Sequence, residues 1–299
     1  NPHFPLTDCL FAPNLFDMLP ITSHPISWYS DDGWIDSLGQ QRVPVNAQLI
    51  DTRVKGIRAW ITPPWAIESS VEAKHIGVLC SELNVAQVPL IVCDLPSGLR
   101  GTWSNSWILQ TRHTRSLHVD EATQKFPIMP KHRAKQARRG AKRGLRIEVE
   151  GDINVLLSLH QKTRERKAII SDPNKLRGLL SWVLSSKHQS TYVVRDEKGS
   201  AIASATFLHD NGRTVYAFGG QVRSPLSALA TVMLIEQGII DAEIVGNGIF
   251  DFGGSSDPGV DRFYEEFGAE KCFRERAIHV APWAKPWLKL FRPDLFKFN

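Results

Sequence analysis

The chain of 299 residues contains no apolar run of about 18 residues, the length that a membrane-spanning helix needs. Its four cysteines, Cys9, Cys80, Cys93 and Cys272, are scattered, with no Cys-x-x-Cys pair and no histidine at metal-ligand spacing. That pattern leaves neither a disulfide framework nor a metal site to expect, and it fits a reducing compartment. The start, Asn1-Pro2-His3-Phe4-Pro5, has neither the basic nor the apolar region of a signal peptide, so the expected location is cytoplasmic. There is no P-loop, no internal repeat and no low-complexity tract. No Ser-His-Asp or Cys-His order stands out, so a covalent nucleophile is not part of the expected chemistry.

Acid is also missing from one particular stretch. Residues 128–146 carry eight Lys or Arg and no Asp or Glu, in a chain whose net charge is +5. Residues 1–127 and 147–282 each sum to −3, and 283–299 to +3. The protein therefore reads as two mildly acidic bodies with a basic helix between them and a basic tail. Concentrated positive charge attracts phosphate or another polyanion. The expected organisation is a first domain over 1–127, a connecting helix over 128–146, a second domain over 147–282 and a tail over 283–299. The length suits two cores, and 42% hydrophobic with 22% charged residues is the composition of a globular protein.

Residues 1–127 are rich in Pro and Trp and show few clear elements. Strands are expected over 53–61, 88–93 and 103–109, and a helix over 70–83. From 128 onward the order becomes legible. Pro130 suits a first helical turn and Gly144 a helix end. A strand follows over 145–149. Asp152 can cap a helix to 167 with Val155, Leu156, Leu159 and His160 on one stripe, and Asp172-Pro173 opens another helix to 186. Three strands joined by tight turns run over 191–195, 201–208 and 214–219. Ser224-Pro225 begins a helix to 240, 248–253 is a strand, Asp257-Pro258 begins a helix ending near 268, and 274–280 is the last strand. The order is β-α-α-β-β-β-α-β-α-β.

Three groups of residues invite a functional reading from their own chemistry. On the basic helix Lys131, Lys135, Arg138 and Lys142 fall along one side, with Arg139, Arg143 and Arg146 in a neighbouring row, so one row can face an anionic ligand and the other the acidic bodies. Asp251 stands at a strand end beside two glycines, where it serves either as a site residue or as a turn cap paired with an Arg. The tail interleaves Trp283, Trp287, Leu290, Phe291, Phe296 and Phe298 with Lys285, Lys289, Arg292 and Lys297. It reads either as a segment packed back on the body or as an interfacial foot on an anionic membrane. His160 reads as a core histidine and Glu265-Glu266 as a solvated helix face.

The order of elements resembles the acyltransferase fold of the GNAT superfamily. The run from Lys131 through Arg143-Gly144-Leu145-Arg146, the segment Thr163-Arg164-Glu165-Arg166-Lys167, and Ile249-Phe250-Asp251-Phe252-Gly253-Gly254 followed by Gly259, Phe263 and Phe267-Gly268 look like the second domain of the Fem-type (FemAB-like) acyl and aminoacyltransferases. The resemblance covers about half of the chain. It implies an α/β fold of two GNAT-like domains with mixed, mostly antiparallel sheets flanked by helices, and an enzyme that moves an acyl or aminoacyl group from acyl-CoA or aminoacyl-tRNA to an amine by direct transfer, without a metal. It places donor or phosphate binding at Lys135, Arg138, Lys142, Arg166, Gly219, Gly220, Arg223 and Ser224. It places substrate binding at Phe252, Gly253 and Gly254, and catalytic roles at Asp251 and Tyr264.

Two positions depart from the family. The pyrophosphate loop before the third helix reads Gln221-Val222-Arg223-Ser224-Pro225-Leu226, without its glycines and with one N–H removed by Pro225. Tyr264 stands where the cell-wall enzymes carry a Lys. The competing reading from another class is a catalytically idle GNAT-like module that binds nucleic acid or an anionic membrane through its basic helix and tail.

Overall fold

The computed structural model describes residues 29–30, 33–35, 42–43, 50–61, 77, 80–81, 83–95, 98–119, 129–166, 173–185, 188–210, 212–253 and 258–296. Two compact units divide the chain: residues 114–271 with 1–16 form unit 1, and residues 17–113 with 272–299 form unit 2.

In unit 2, β1 (Tyr29–Ser30), β2 (Gly33–Ile35) and β3 (Arg42–Val43) make a small antiparallel sheet. The stretch 53–61 is not one strand. It belongs to a hairpin of β4 (Ile50–Val54) and β5 (Ile57–Ile61), turned at Lys55 and Gly56. Both turn residues have positive φ, 50° and 87°, which is what a two-residue turn matching the strand twist requires. β5 runs parallel to β6 (Leu90–Asp94), all five residues of which are buried. Of the helix expected over 70–83, residues 77, 80, 81 and 83 are helical, and the rest lies outside the described residues. The strand expected over 103–109 lies further on: residues 103–107 are turn and irregular chain, and β7 extends over Ile108–His118. Trp60, Cys80, Ile91, Cys93, Trp107 and Ala277 are the heart of this unit's core.

Unit 1 follows the expected order. It contains α1 (Lys131–Lys142), β8 (Arg146–Val149), α2 (Ile153–Arg166), α3 (Pro173–Ser185), β9 (Gln189–Arg195), β10 (Ala201–Asp210), β11 (Arg213–Gln221), α4 (Ser227–Ile244), β12 (Ile249–Asp251), α5 (Pro258–Glu265) and the start of β13 (Glu270–Val280). Caps account for the boundaries. Asp152 Oδ1 accepts from the Asn154 N–H at 2.8 Å, and Gly144 ends the α1 region at φ 74°. β8, β9, β10 and β11 pair antiparallel in turn, β11 runs parallel to β12, and β12 pairs antiparallel with the end of β7. The sheet is thus mixed and mostly antiparallel.

Helices cover it on two sides. Phe218 and Gly220 meet α2, whereas Phe207 meets Gly238 of α4 and packs on Tyr216. Chain passes between the units inside strands, at 113/114 within β7 and at 271/272 within β13. β13 leads to a 3-10 turn at Pro282–Ala284, α6 (Lys285–Phe291) and a second 3-10 turn at Pro293–Phe296. No helix among the described residues is long and apolar enough to cross a membrane.

Candidate active site

The parallel ladder between β11 and β12 is short. It joins Arg213 to Ile249, Thr214 to Phe250 and Val215 to Asp251, and ends there. β11 continues to Gln221 paired on its other edge with β10. Just past the last shared pair, Phe207 faces Tyr216 while Thr206 faces Phe218, so Ala217 is an extra residue in β11. Such a bulge bends the strand and re-aims its side chains. Beyond Val215, β11 keeps its pairing with β10 while β12 leaves its other edge.

Asp251 closes the ladder and is 2% exposed. Its Oδ1 accepts from Thr114 Oγ1 at 2.6 Å and from the Gly253 N–H at 2.8 Å, and its Oδ2 accepts from Arg213 Nη1 at 3.4 Å. These contacts cap the turn after β12 and pair the carboxylate with an arginine. Gly253 sits at φ 78°, and a Cβ there would come 2.7 Å from the Tyr216 carbonyl oxygen, so this turn admits only glycine. Phe252 and Tyr264 are both 0% exposed, with ring centroids 4.5 Å apart, in a cluster with Phe250, Phe263 and Phe267. Their burial sets both against contact with a diffusing substrate. Gly254 lies outside the described residues. The segment is clamped from β7 by Arg115, which donates to Asp261 at 2.8 and 3.0 Å and to Glu265 at 3.1 Å, while its carbonyl accepts from the Phe252 N–H at 2.9 Å.

The far end of β11 is tied to α2. The Thr163 hydroxyl accepts from the Gln221 N–H at 2.9 Å and lies 3.1 Å from both the Gln221 and Leu159 carbonyls. Gly219 and Gly220 lie in β11. A Cβ on Gly219 would strike the Tyr216 hydroxyl, and one on Gly220 would meet the His160 nitrogen at 2.7 Å and the Leu159 carbonyl carbon at 2.8 Å. Gly220 thus lets α2 lie on the sheet. Gly220→Ala is expected to force that backbone contact apart at a cost of about 1–3 kcal/mol, read by calorimetry as a lower thermal midpoint.

One turn beyond Thr163, Arg166 is half-buried, and its Nε and Nη2 are buried without a hydrogen-bond acceptor. Burial first, and then the charge of Arg223, push its pKa down. Two cations thus share the space beside the Gln221–Ser224 loop. The loop itself is closed to a ligand at several points. Ser224 N donates to Ser227 Oγ at 3.1 Å, Leu226 N to Ser224 Oγ at 3.2 Å, Ser227 N to the Ser224 carbonyl at 3.1 Å, and Pro225 has no N–H. The donors that a pyrophosphate loop would offer are used within the loop.

The basic helix has its rows placed differently from expectation. Lys131, Lys135, Arg138, Arg139, Lys142, Arg143 and Arg146 are all exposed, so neither row faces a body. The inward positions are Arg133, Ala137 and Gly140, spaced i, i+4, i+7. Gly140 brings α1 onto α4, where a Cβ would come 2.5 Å from Met233 Sδ. Arg133 donates to Glu266 at 2.5 Å and lies over the rings of Phe263 and Phe267, 4.4 and 4.8 Å from their centroids. Glu265 and Glu266 therefore pair with Arg115 and Arg133 instead of forming a purely solvated face. Among the described residues no hydrogen bond or ion pair links Lys135, Arg138 or Lys142 to Arg166. No group of three His, Cys, Asp or Glu among them is placed to hold a metal ion.

No protein-family model matches the chain, and no curated protein matches it. Solved structures do. FemX matches at 13% identity over 90% of each chain, with a TM-score of 0.59. The C-terminal domain (DUF2156) of a protein described as a lysylphosphatidylglycerol synthetase of Agrobacterium fabrum matches at 13% identity, over 92% of this chain and 89% of that one, with a TM-score of 0.59. The chain has a Fem-type, GNAT-like fold. L-PGS from Bacillus licheniformis is similar as well, at 14% identity over 90% of each chain and a TM-score of 0.56. Within the Fem-type fold, the residues that the sequence left unmarked are Arg115, Arg133, Arg213 and Ala217. Only Arg133 carried a signal, its helical spacing to Ala137 and Gly140.

Proposed function

We propose that the protein is an acyltransferase that moves an aminoacyl or acyl group from a phosphate-bearing donor to an amine. The observation that carries this reading is the edge of β11 from Ala217 to Gly220 that β12 has left, with Arg166 and Arg223 near its far end. A buried strand edge that its neighbour has left can turn backbone N–H groups toward the oxygen that becomes negative when an amine attacks a carbonyl. A guanidinium whose buried donors lack acceptors among the described residues, as those of Arg166 do, suits phosphate oxygens, and Arg223 adds a second positive charge beside it. In the transfer a C–N bond forms as the ester or thioester bond breaks, and the amine proton leaves with the departing oxygen or sulfur or passes to water. Positioning and oxyanion donors supply the rate, so no covalent intermediate is needed.

The self-bonded Ser224–Ser227 loop favours aminoacyl-tRNA over acyl-CoA, because a CoA pyrophosphate would find the donors at Ser224, Leu226 and Ser227 taken. The exposed cations Lys135, Arg138 and Lys142 on α1 suit the tRNA backbone. The neighbouring folds include proteins named for lysylphosphatidylglycerol synthesis, which agrees with an aminoacyl donor. Asp251 acts here as a positioning residue that shapes the turn after β12, and Tyr264 as part of the aromatic core. The expected compartment is the cytoplasm.

The test is transfer of labelled aminoacyl groups from charged tRNA, and of acyl groups from CoA, to a panel of amines. Activity with tRNA is expected. Arg166→Ala should raise the donor KM about tenfold or more, the worth of a charge-assisted hydrogen bond, and leave kcat nearly unchanged. No transfer from either donor, combined with steeply salt-dependent binding to RNA, would assign the idle binding module instead.

A further inference from the structure

The end of unit 2 has two apolar faces, and the fold covers only one. Ala284, Leu288 and Leu295 are 0%, 0% and 3% exposed and anchor the segment inward. Trp283, Trp287, Leu290 and Phe291 point the other way, at 67%, 49%, 72% and 42% exposure. Their spacing, i, i+4, i+7, i+8, makes one stripe along the 3-10 turn and α6. The stripe is held in place. The Trp287 and Phe291 rings lie 4.4 Å apart, and Trp287 Nε1 donates to the Lys55 carbonyl at 3.0 Å, fastening the stripe to the β4–β5 turn.

Charge surrounds it with one sign. Lys55 is exposed at that turn and Lys289 on α6, and Lys285 is half-buried beside Trp283. The single acid in residues 283–296, Asp294, is taken by Arg292 at 2.8 and 2.9 Å, and that charge and hydrogen bonding outweigh burial to hold its carboxyl below the usual range. A convex stripe of tryptophan, leucine and phenylalanine with lysines at its margin suits the boundary between lipid headgroups and acyl chains. The Trp287 N–H already has its acceptor within the protein, so its ring can enter an apolar layer without losing a hydrogen bond.

We propose that the outer face of residues 283–291, with Lys55 and Lys289 at its edge, docks the protein on an anionic lipid bilayer. The inference stands apart from the transfer reaction and survives whichever donor is used.

The experiment is co-sedimentation of the full chain with vesicles of phosphatidylglycerol and phosphatidylcholine in equal parts, against phosphatidylcholine alone. Binding to the anionic vesicles is expected to exceed binding to the neutral ones and to weaken with salt. The double variant Trp283→Ser/Leu290→Ser should lower the partition coefficient at least about tenfold, or ~1.4 kcal/mol, with its thermal midpoint unchanged because both side chains are exposed. Lys55→Glu/Lys289→Glu should abolish the preference for the anionic lipid. Equal binding to both vesicle types, or an unchanged partition in the Trp283/Leu290 variant, overturns the proposal. A lipid-free dimer that the same variant dissociates also overturns it, by giving the face to a second copy of the chain.

Discussion

Replacing Asp251 by alanine is expected to lower the unfolding free energy by about 3–5 kcal/mol, the usual result of removing one partner of a buried ion pair. The carboxylate is 2% exposed and accepts from Thr114, Gly253 and Arg213, so its loss strips acceptors from a hydroxyl, a backbone N–H and a guanidinium at once. Urea unfolding of the variant measures it. The same experiment separates two roles for Asp251. A catalytic acid or base would lose turnover with stability intact, whereas a residue that shapes the turn after β12 should lose stability first. Asp251→Asn is expected to fall between, since an amide oxygen still accepts from Thr114 and Gly253 but loses the charge that faces Arg213. A variant with an unchanged urea midpoint and no activity would return Asp251 to the chemistry.

The second large effect is one of pH. His160, on α2, is 6% exposed and meets Phe218 edge-on at 6.1 Å. Burial, and after it the charge of Arg164, hold its pKa at about 3, against an ordinary value of 6.5. The folded pKa is the lower one, so between those values the unfolded chain binds a proton that the folded chain refuses. Stability from this group is therefore complete above pH 6.5 and is lost as the pH falls toward 3. At pH 4 the loss comes to about 3 kcal/mol. Urea unfolding at pH 7, 5.5 and 4 should show the decline, and His160→Leu should flatten it whatever the variant's stability at pH 7. An equal slope in both proteins would place the acid sensitivity elsewhere.

The second half of the fold was legible because its punctuation is local. Asp152 caps α2 through a bond two residues away, Pro173 and Pro258 stand at the first positions of α3 and α5, and paired strands between glycine turns leave little choice of order. β7 was not legible for the opposite reason. Its sequence, Ile-Leu-Gln-Thr-Arg-His-Thr-Arg-Ser-Leu-His, has no apolar alternation, because buried Thr114 and Arg115 are satisfied by Asp251 and Asp261, more than 130 residues away. Spacing along the chain carries no trace of such partners. Gly219 and Gly220 meet a demand that spacing does not show, since each makes room for a neighbour, the Tyr216 hydroxyl in one case and the α2 backbone in the other. The departures from the family pattern were easier to interpret. The lost loop glycines at 221–226 correspond to a loop that bonds to itself, and that reading required only local residues.

The places where chain passes between the two units bear on how the protein is made. Residues 114–271 of unit 1 lie inside the sequence span of unit 2, whose portion 272–299 is translated after them. The ribosome therefore releases the residues around the candidate active site while the pairing partner of β6, Arg276–Val280, is still in the exit tunnel. Unit 2 must wait, half-built, with the buried strand β6 lacking one neighbour, until residues 276–280 emerge. A nascent chain stalled at residue 271 should expose that edge to chaperones, and the exposed Trp283 and Trp287 reach their place only after that edge has closed.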